Sequence, residues 1–358
     1  MTAPDDAVAR IVRVASRAPS AHNAQPWRIA RDGAALAVGL DGERLLTVGD
    51  PTGRDALLGL GCWLEAAAVA ASGEGFGFET AFDDAALAAF SADPTAAPAG
   101  ALVRATLTES SAGQPAGFTA DDVRARAVHR GALAPITDDG GMSAALGEDW
   151  LRIERVNPAR SAALVALGDA GSLGRRAVAR EAVDWLRFTP RDPGFRRDGL
   201  TAPTLLIPSA AAALAEALKA MRAGRAVLEA GLAAASRLAP LGARFARRGP
   251  GLFVLVADGR ALAADGSSGA AGIAGSPGLP AGLPPREVIA AGRALLRAWL
   301  AAHRAAVSVA PASQVVDAPR AHAELRRALG LRAPETVLAV FAAGTPTGPT
   351  PRAPRLPV

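Results

Sequence analysis

One order of elements runs along the chain twice, and that limits the possible folds more than any single motif. Residues 5 to 17 place Val8, Ile11, Val12 and Ala15 on one face at helical spacing, and the helix stops ahead of Pro19, because the residue before a proline disfavours the helical region. The loop SAHNAQP leads to Trp27, short strands are predicted at 28–31 and 34–40, and a long apolar helix at 55–71 follows. The glycines at 73, 75 and 77 read as a loop, and a further strand is predicted at 101–107. A Ser/Gly/Pro-rich linker at 110–119 separates this from a second cycle: helix 120–128, a turn after Arg130, edge strand 151–156, and helix 159–185 with breaks at Gly168 and Gly171.

Beyond it lie an alanine-rich helical region at 209–238, a buried strand at 251–257 and a Gly/Ala/Pro loop at 263–285. A helix at 286–305 carries Val288, Gly292, Leu295, Leu296, Trp299 and Leu300 on one face. Glycine costs stability inside a helix, so close backbone packing is expected at Gly292. A loop around Pro311, a helix at 319–329, a strand at 336–341 and an extended proline-rich tail complete the chain.

Composition excludes several functions. The 358 residues are half apolar, enough for one large core or two. The sequence pI near 10.8 comes from arginine, Lys219 being the one lysine, while the net charge is only +5 and basic residues alternate with acids, as at Arg152, Glu154 and Arg155. That pattern speaks against a nucleic-acid surface. The single cysteine, Cys62, sits beside Trp63 in apolar surroundings and reads as inert core; no Cys/His cluster has zinc spacing, and a reducing compartment fits. The N-terminus MTAPDDAVAR lacks the basic and apolar regions of a secretory signal. The stretch 199–240 is interrupted by Glu216, Lys219, Arg222, Arg225 and Glu229, which argues against a membrane span. A cytoplasmic protein without nucleic-acid or membrane partners is expected.

The chemistry concentrates in a few segments. Ala18-Pro19-Ser20-Ala21-His22-Asn23-Ala24-Gln25-Pro26-Trp27 is a dense run of hydroxyl, amide and aromatic groups directly after a helix. Taken alone, Ser20 and Asn23 are equally good turn formers. Asp50 is placed to cap the helix that starts near Arg54, a structural role for both. Arg126-Ala127-Val128-His129-Arg130 sets two guanidiniums four apart, and Pro351-Arg352-Ala353-Pro354-Arg355 sets two more near the C-terminus; planar guanidiniums match phosphate oxygens better than ammonium does. Ser267 and Ser268 lack a nucleophile elbow, and His303 and His322 fall on helices, so no hydrolase or metal reading survives.

These segments resemble the nitroreductase superfamily, and His22, where many members have glycine, resembles its Acg-type branch, in which one chain carries two nitroreductase-like halves. The resemblance also covers Arg44 to Arg54 with the helix bearing Gly59, Gly61, Cys62 and Leu64, the positions Glu181, Trp185, Arg187 and Asp198-Gly199, and helix 286–305 with Pro311-Ala312-Ser313-Gln314. It implies an α+β fold with a mixed or antiparallel sheet flanked by helices, in two fused halves, 1–115 and 120–358, that mimic a nitroreductase dimer within one globule, a monomer that leaves further dimerisation open. It implies an FMN site formed by Pro19, Ser20, His22, Asn23 and Gln25 at the ring, Pro311, Ser313 and Gln314 beside it, and Arg126, Arg130 and either Arg352 or Arg355, the latter preferred, at the phosphate. Val128 departs from a frequent serine, and Ser313-Gln314 from a frequent Glu-Gly. The implied activity is hydride transfer from NAD(P)H through FMN to a nitroaromatic or quinone, with no obligatory catalytic side chain. The alternative is an FMN-sequestering protein whose insertion at 201–250, with Arg244, Arg247 and Arg248, forms a lid.

Overall fold

A computed structural model of the chain describes residues 5–32, 35–109, 117–243, 250–264 and 283–357. The linker at 110–116, most of the 263–285 loop with Ser267 and Ser268, and Arg244, Arg247 and Arg248 lie outside them. The first half comprises α1 (Asp5–Ala15), β1 (Trp27–Asp32), β2 (Ala35–Leu40), α2 (Arg54–Gly73), β3 (Phe76–Phe82), α3 (Asp84–Ala92) and β4 (Val103–Glu109). The second comprises α4 (Ala120–Ala125), β5 (Leu133–Ala134), β6 (Leu151–Val156), α5 (Pro158–Gly171), α6 (Arg176–Asp184), β7 (Leu186–Arg187), β8 (Leu200–Thr201), α7 (Ser209–Ala220) and α8 (Arg222–Ala243). It continues through β9 (Gly251–Ala257), α9 (Gly259–Ala264), α10 (Pro285–Arg304), β10 (Ser308–Pro311), α11 (Gln314–Asp317), α12 (Pro319–Leu329) and β11 (Thr336–Pro346).

The architecture is α+β with antiparallel main sheets. One sheet runs β1-β2-β4-β3, entirely from the first half. The other runs β10-β11-β9-β6, with β5 added to β11, entirely from the second. A short parallel pair, β7-β8, stands apart. The two halves share one core: Leu57, Leu60 and Leu64 of α2 and Val103 of β4 pack in the same cluster as Leu255 of β9, Leu295 and Trp299 of α10 and Phe341 of β11.

Helices α2 and α10 meet where both lack side chains. A Cβ on Gly61 would run into the Ile289 carbonyl, and one on Gly292 into the Leu58 carbonyl, so only glycine allows this backbone approach. Beside the crossing, buried Glu65 of α2 receives Arg293 Nε at 2.9 Å and Arg297 Nη1 at 3.3 Å from α10. Helix α2 has the length and apolarity of a membrane span, but nearly all of its residues are buried within this core.

Several elements differ from expectation. The glycine-rich 73–77 stretch is only partly a turn: Gly77 lies inside β3, which pairs with β4 over its whole length. The glycines hid the alternation that puts Phe76, Phe78 and Phe82 on one face. Helix 159–185 is interrupted directly after Gly171, as expected, and α5 runs unbroken through Gly168 before α6 begins beyond Ser172–Arg175. Pro311 ends strand β10 rather than sitting in a loop; β10 is the edge of its sheet, where a residue without an N–H is tolerated.

Candidate functional site

The loop after α1 turns sharply under strain. His22, Asn23 and Gln25 have φ of 49°, 56° and 52°, in the left-handed region that non-glycine residues adopt at a cost of roughly 1 kcal/mol or more each. The strain is held by amides. Asn23 Nδ2 donates to the carbonyls of Gly199 (3.3 Å) and Pro354 (3.1 Å), and its Oδ1 accepts from Arg355 Nη1 at 2.7 Å. Gln25 Nε2 donates to the Arg197 carbonyl at 2.9 Å, and Gln25 Oε1 accepts the Leu356 N–H at 2.9 Å. The C-terminal tail and the 197–199 segment thus clamp the loop from two sides.

Above the loop opens a cavity of about 330 Å³. Pro19, Ser20 and His22 form one edge, Leu58, Gly59 and Cys62 of α2 the floor, and Leu295 and Trp299 of α10 one wall. Pro311, Ser313 and Gln314 close it from the second half, and Arg130 stands at a rim. The cavity is therefore built from both halves. Its walls are apolar over most of their area, with polar and charged side chains set among them, the usual character of a cofactor site. Cys62 belongs to this wall, yet its thiol donates to the Gly292 carbonyl and burial pushes it up to about 12, so it stays protonated.

A smaller annex of about 50 Å³ adjoins the cavity, sharing Pro19, Ser20, Arg130, Leu200 and Pro311 with it. It adds Arg17, Asn23, Arg126, Val128 and Arg355. Arg126 is 4 % exposed, its Nη2 donates to the Arg17 carbonyl at 3.1 Å, and its Nε and Nη1 are buried with no partner. The Nε of Arg17 is buried and unpartnered as well. Burial, with like charge from Arg17 and Arg352, holds Arg126 down at about 10; burial and Arg352 lower Arg17. Arg130 has no hydrogen-bond or ion-pair partner among the described residues. Val128 offers no hydroxyl here, but Ser20 does: its Oγ accepts the Gln25 N–H at 2.9 Å and its own proton is left to donate.

Arg355 behaves differently. Every nitrogen of its guanidinium donates to protein oxygen: Nε to Ser16 (2.7 Å), Nη1 to Asn23 Oδ1 and the Pro354 carbonyl, Nη2 to Arg17 (3.1 Å). It acts here as the clasp of the tail on the loop. Arg352 is exposed and lines neither space, and Gln25 lines a separate groove between α1, β1 and the tail. That groove, about 450 Å³, is apolar apart from Asp5, Ser16, Gln25 and Arg31 and gathers no basic cluster.

Sequence reasoning missed Arg17, three residues ahead of Ser20 on the same turn, although its place beside the loop was a readable signal. It also missed the wall at the other end. Asp50, Asp55 and Asp317 line the cavity around Arg54, whose Nη2 reaches Asp55 Oδ1 at 2.7 Å and Asp317 Oδ1 at 2.8 Å. Asp50 does cap α2 as expected, accepting the Ala56 N–H at 2.9 Å, but it is also part of this wall. Nothing in the sequence links Asp317 to position 54. Opposite, His22 Nδ1 is buried without a partner, and burial together with Arg130 lowers the imidazole to about 4.

No family model matches the chain. A 70-residue stretch is 43 % identical to the protein named "Putative NAD(P)H nitroreductase acg" in two strains of Mycobacterium tuberculosis, CDC 1551 / Oshkosh and ATCC 25618 / H37Rv. The matched stretch covers 20 % of this chain and 21 % of each of those proteins.

Proposed function

We propose that this protein is an FMN-dependent oxidoreductase of the nitroreductase type, taking reducing equivalents from NAD(P)H and passing them to an electron-poor acceptor such as a nitroaromatic or a quinone. One observation carries the reading: a mostly apolar cavity opens into an annex where half-buried Arg17 and buried Arg126 keep three buried N–H-bearing atoms unpaired, with no carboxylate nearby. A buried donor without an acceptor is costly, and a guanidinium without a counter-charge more so. A phosphate monoester satisfies both deficits. The residues thus fit the cofactor that the family resemblance implies.

Bound FMN supplies the two-electron chemistry. The chain supplies the rest. Arg17, Arg126 and Arg130 hold the phosphate, with Ser20 donating at the junction of annex and cavity. Leu58, Leu295 and Trp299 exclude water from the cavity. Neutral His22, the Ser313 hydroxyl and the Gln314 side-chain carbonyl present polar atoms at its edge, while Gln314 Nε2 is fixed on Asp169 Oδ1 at 3.1 Å. Gln25 positions the loop, while Asn23 and Arg355 line the annex and at the same time hold the tail on the loop. In this reading one chain forms the site from its two halves, so a monomer suffices.

The rival reading is FMN sequestration under a lid at 201–250: Thr204 of that insertion lines the annex, while helices α7 and α8 pack on each other, with α8 also against α5 and α6, and their described residues line neither space. The test is the visible absorption of purified protein given FMN, before and after anaerobic NADPH or NADH. Retained flavin that bleaches supports the proposal. Retained flavin that stays yellow with both nucleotides favours sequestration, and failure to retain flavin overturns both.

A further inference from the structure

We infer that the end of the cavity walled by Asp50, Asp55, Asp317 and His22 is a subsite for a protonated amine or amidine, so that the protein prefers acceptors with a cationic head group. The inference rests on the acceptor reading above and narrows it to a substrate class. Three carboxylates surround Arg54 there, with Arg175 the one further guanidinium that acts on Asp317, and from the exposed surface. Arg54 spends its Nε and Nη2 on Asp55 Oδ1 and its Nη2 also on Asp317 Oδ1. The second oxygens of Asp55 and Asp317 accept no hydrogen bond from any described residue, and neither is sealed from the cavity that both residues line.

The cluster is short of positive charge. Burial first, then the neighbouring Asp55 carboxylate, raises Asp50, and burial raises Asp317 despite its contact with Arg54. A ligand cation would relieve this deficit.

His22 supplies the independent sign of a ligand. Its Nδ1 lies buried in the same cavity and meets no protein group, and the imidazole lies between the two polarities, feeling Arg130 first and Asp55 second. The imidazole is neutral, so it accepts or donates one hydrogen bond without adding charge. Two open carboxylate oxygens and one neutral imidazole nitrogen match a head group with several N–H donors and a positive charge. The opposite end, at Arg130 and Arg126, has the reverse polarity, so a ligand's charge sets which end it seeks.

The experiment measures equilibrium binding by calorimetry to the oxidised, FMN-loaded protein without reductant. The probes are 4-nitrobenzylamine, 4-nitrobenzyl alcohol and 4-nitrobenzoate at neutral pH, which share a ring and differ in charge. The amine should bind roughly tenfold or more tightly than the alcohol, as expected for hydrogen bonds to charged groups, and the benzoate most weakly. Asp317→Asn should abolish the amine's advantage and leave the alcohol's affinity in place; Asp55→Asn serves the same purpose if loss of the Arg54 contact unfolds the first variant. Equal affinities for amine and alcohol in the unaltered protein overturn this inference and leave the acceptor reading standing. Failure of all three nitrobenzenes to bind overturns both.

Discussion

Replacing Arg126 with methionine should make the ligand-free protein more stable while weakening its hold on FMN, two effects that an ordinary structural arginine would not show together. In the ligand-free fold, burial and like charge hold the guanidinium at about 10 against a usual 12.5. At about 1.4 kcal/mol per tenfold change, that corresponds to a cost of roughly 3 kcal/mol for the charged side chain. Methionine removes the charge and keeps a flexible apolar stem against Trp299, over which the guanidinium now lies at 5.8 Å. The loss is the hydrogen bond to the Arg17 carbonyl, worth about 1 kcal/mol. The net gain is about 2 kcal/mol, which at about 2–4 °C per kcal/mol for a large domain raises the melting temperature by several degrees. With FMN present the balance reverses, because charge-assisted bonds worth about 1.5–3 kcal/mol each disappear. Thermal unfolding followed by circular dichroism, alone and with FMN or riboflavin, checks this. Riboflavin lacks the phosphate, so its stabilising effect should survive the substitution while that of FMN falls. A variant that melts lower on its own, or that loses FMN and riboflavin equally, refutes the reasoning.

Arg355→Ala should release the tail from the loop and weaken flavin uptake by about tenfold or more, since several part-buried hydrogen bonds at about 1 kcal/mol each are lost; Arg355→Lys should not rescue it, because an ammonium cannot span the same set of carbonyls. Limited proteolysis of the tail and FMN titration read the two effects, and an intact tail in the alanine variant counts against the clasp. Gly292→Ala should destabilise the fold by about 1–3 kcal/mol, the cost of overpacking a close helix crossing, seen as a lower urea midpoint; an unchanged midpoint would mean that α2 and α10 can separate freely. Asp50 has a pH signature. Burial and Asp55 raise its carboxyl from 3.8 to about 7, so between those values the folded chain keeps a proton that the unfolded chain gives up. Its contribution to stability therefore declines as pH rises through that window and levels off above it. Asp50→Asn, which keeps an acceptor for the Ala56 N–H, should flatten that decline in urea titrations across the window.

Much of the fold was legible because its helices carry strong periodicity and its buried strands are short apolar runs. The 251–257 segment could be read from seven consecutive apolar or glycine residues, and all seven are buried. Strand β3 was not legible, since Gly75 and Gly77 broke the alternation and pairing with β4 alone defines it. The basic half of the site was visible as Arg126 and Arg130 beside a polar loop. The split of labour among its residues was not: whether Asn23, Gln25 and Arg355 face a ligand or the scaffold depends on where the tail and the 197–199 segment arrive, some 330 and 175 residues away in sequence. The acidic wall was least legible of all, because Asp317 reaches Arg54 only through the packing of α11 near α2.

These costs share a location. The loop holds three residues in left-handed backbone, the annex holds buried guanidiniums without counter-charge, and the far wall crowds three carboxylates around one arginine. Each is unfavourable in a fold taken alone, and all three border one continuous space made by both halves of the chain. The core at the α2–α10 crossing and the Arg355 clasp supply the stability that keeps them in place. A structural protein has no reason to concentrate such penalties, whereas an anionic, ring-shaped ligand in the annex and cavity, followed by a cationic partner at the acidic wall, would relieve the two electrostatic deficits while the clamped loop holds the binding groups in position. Stability that rises markedly with FMN, and rises again with a cationic nitrobenzene, is the thermodynamic form of that argument.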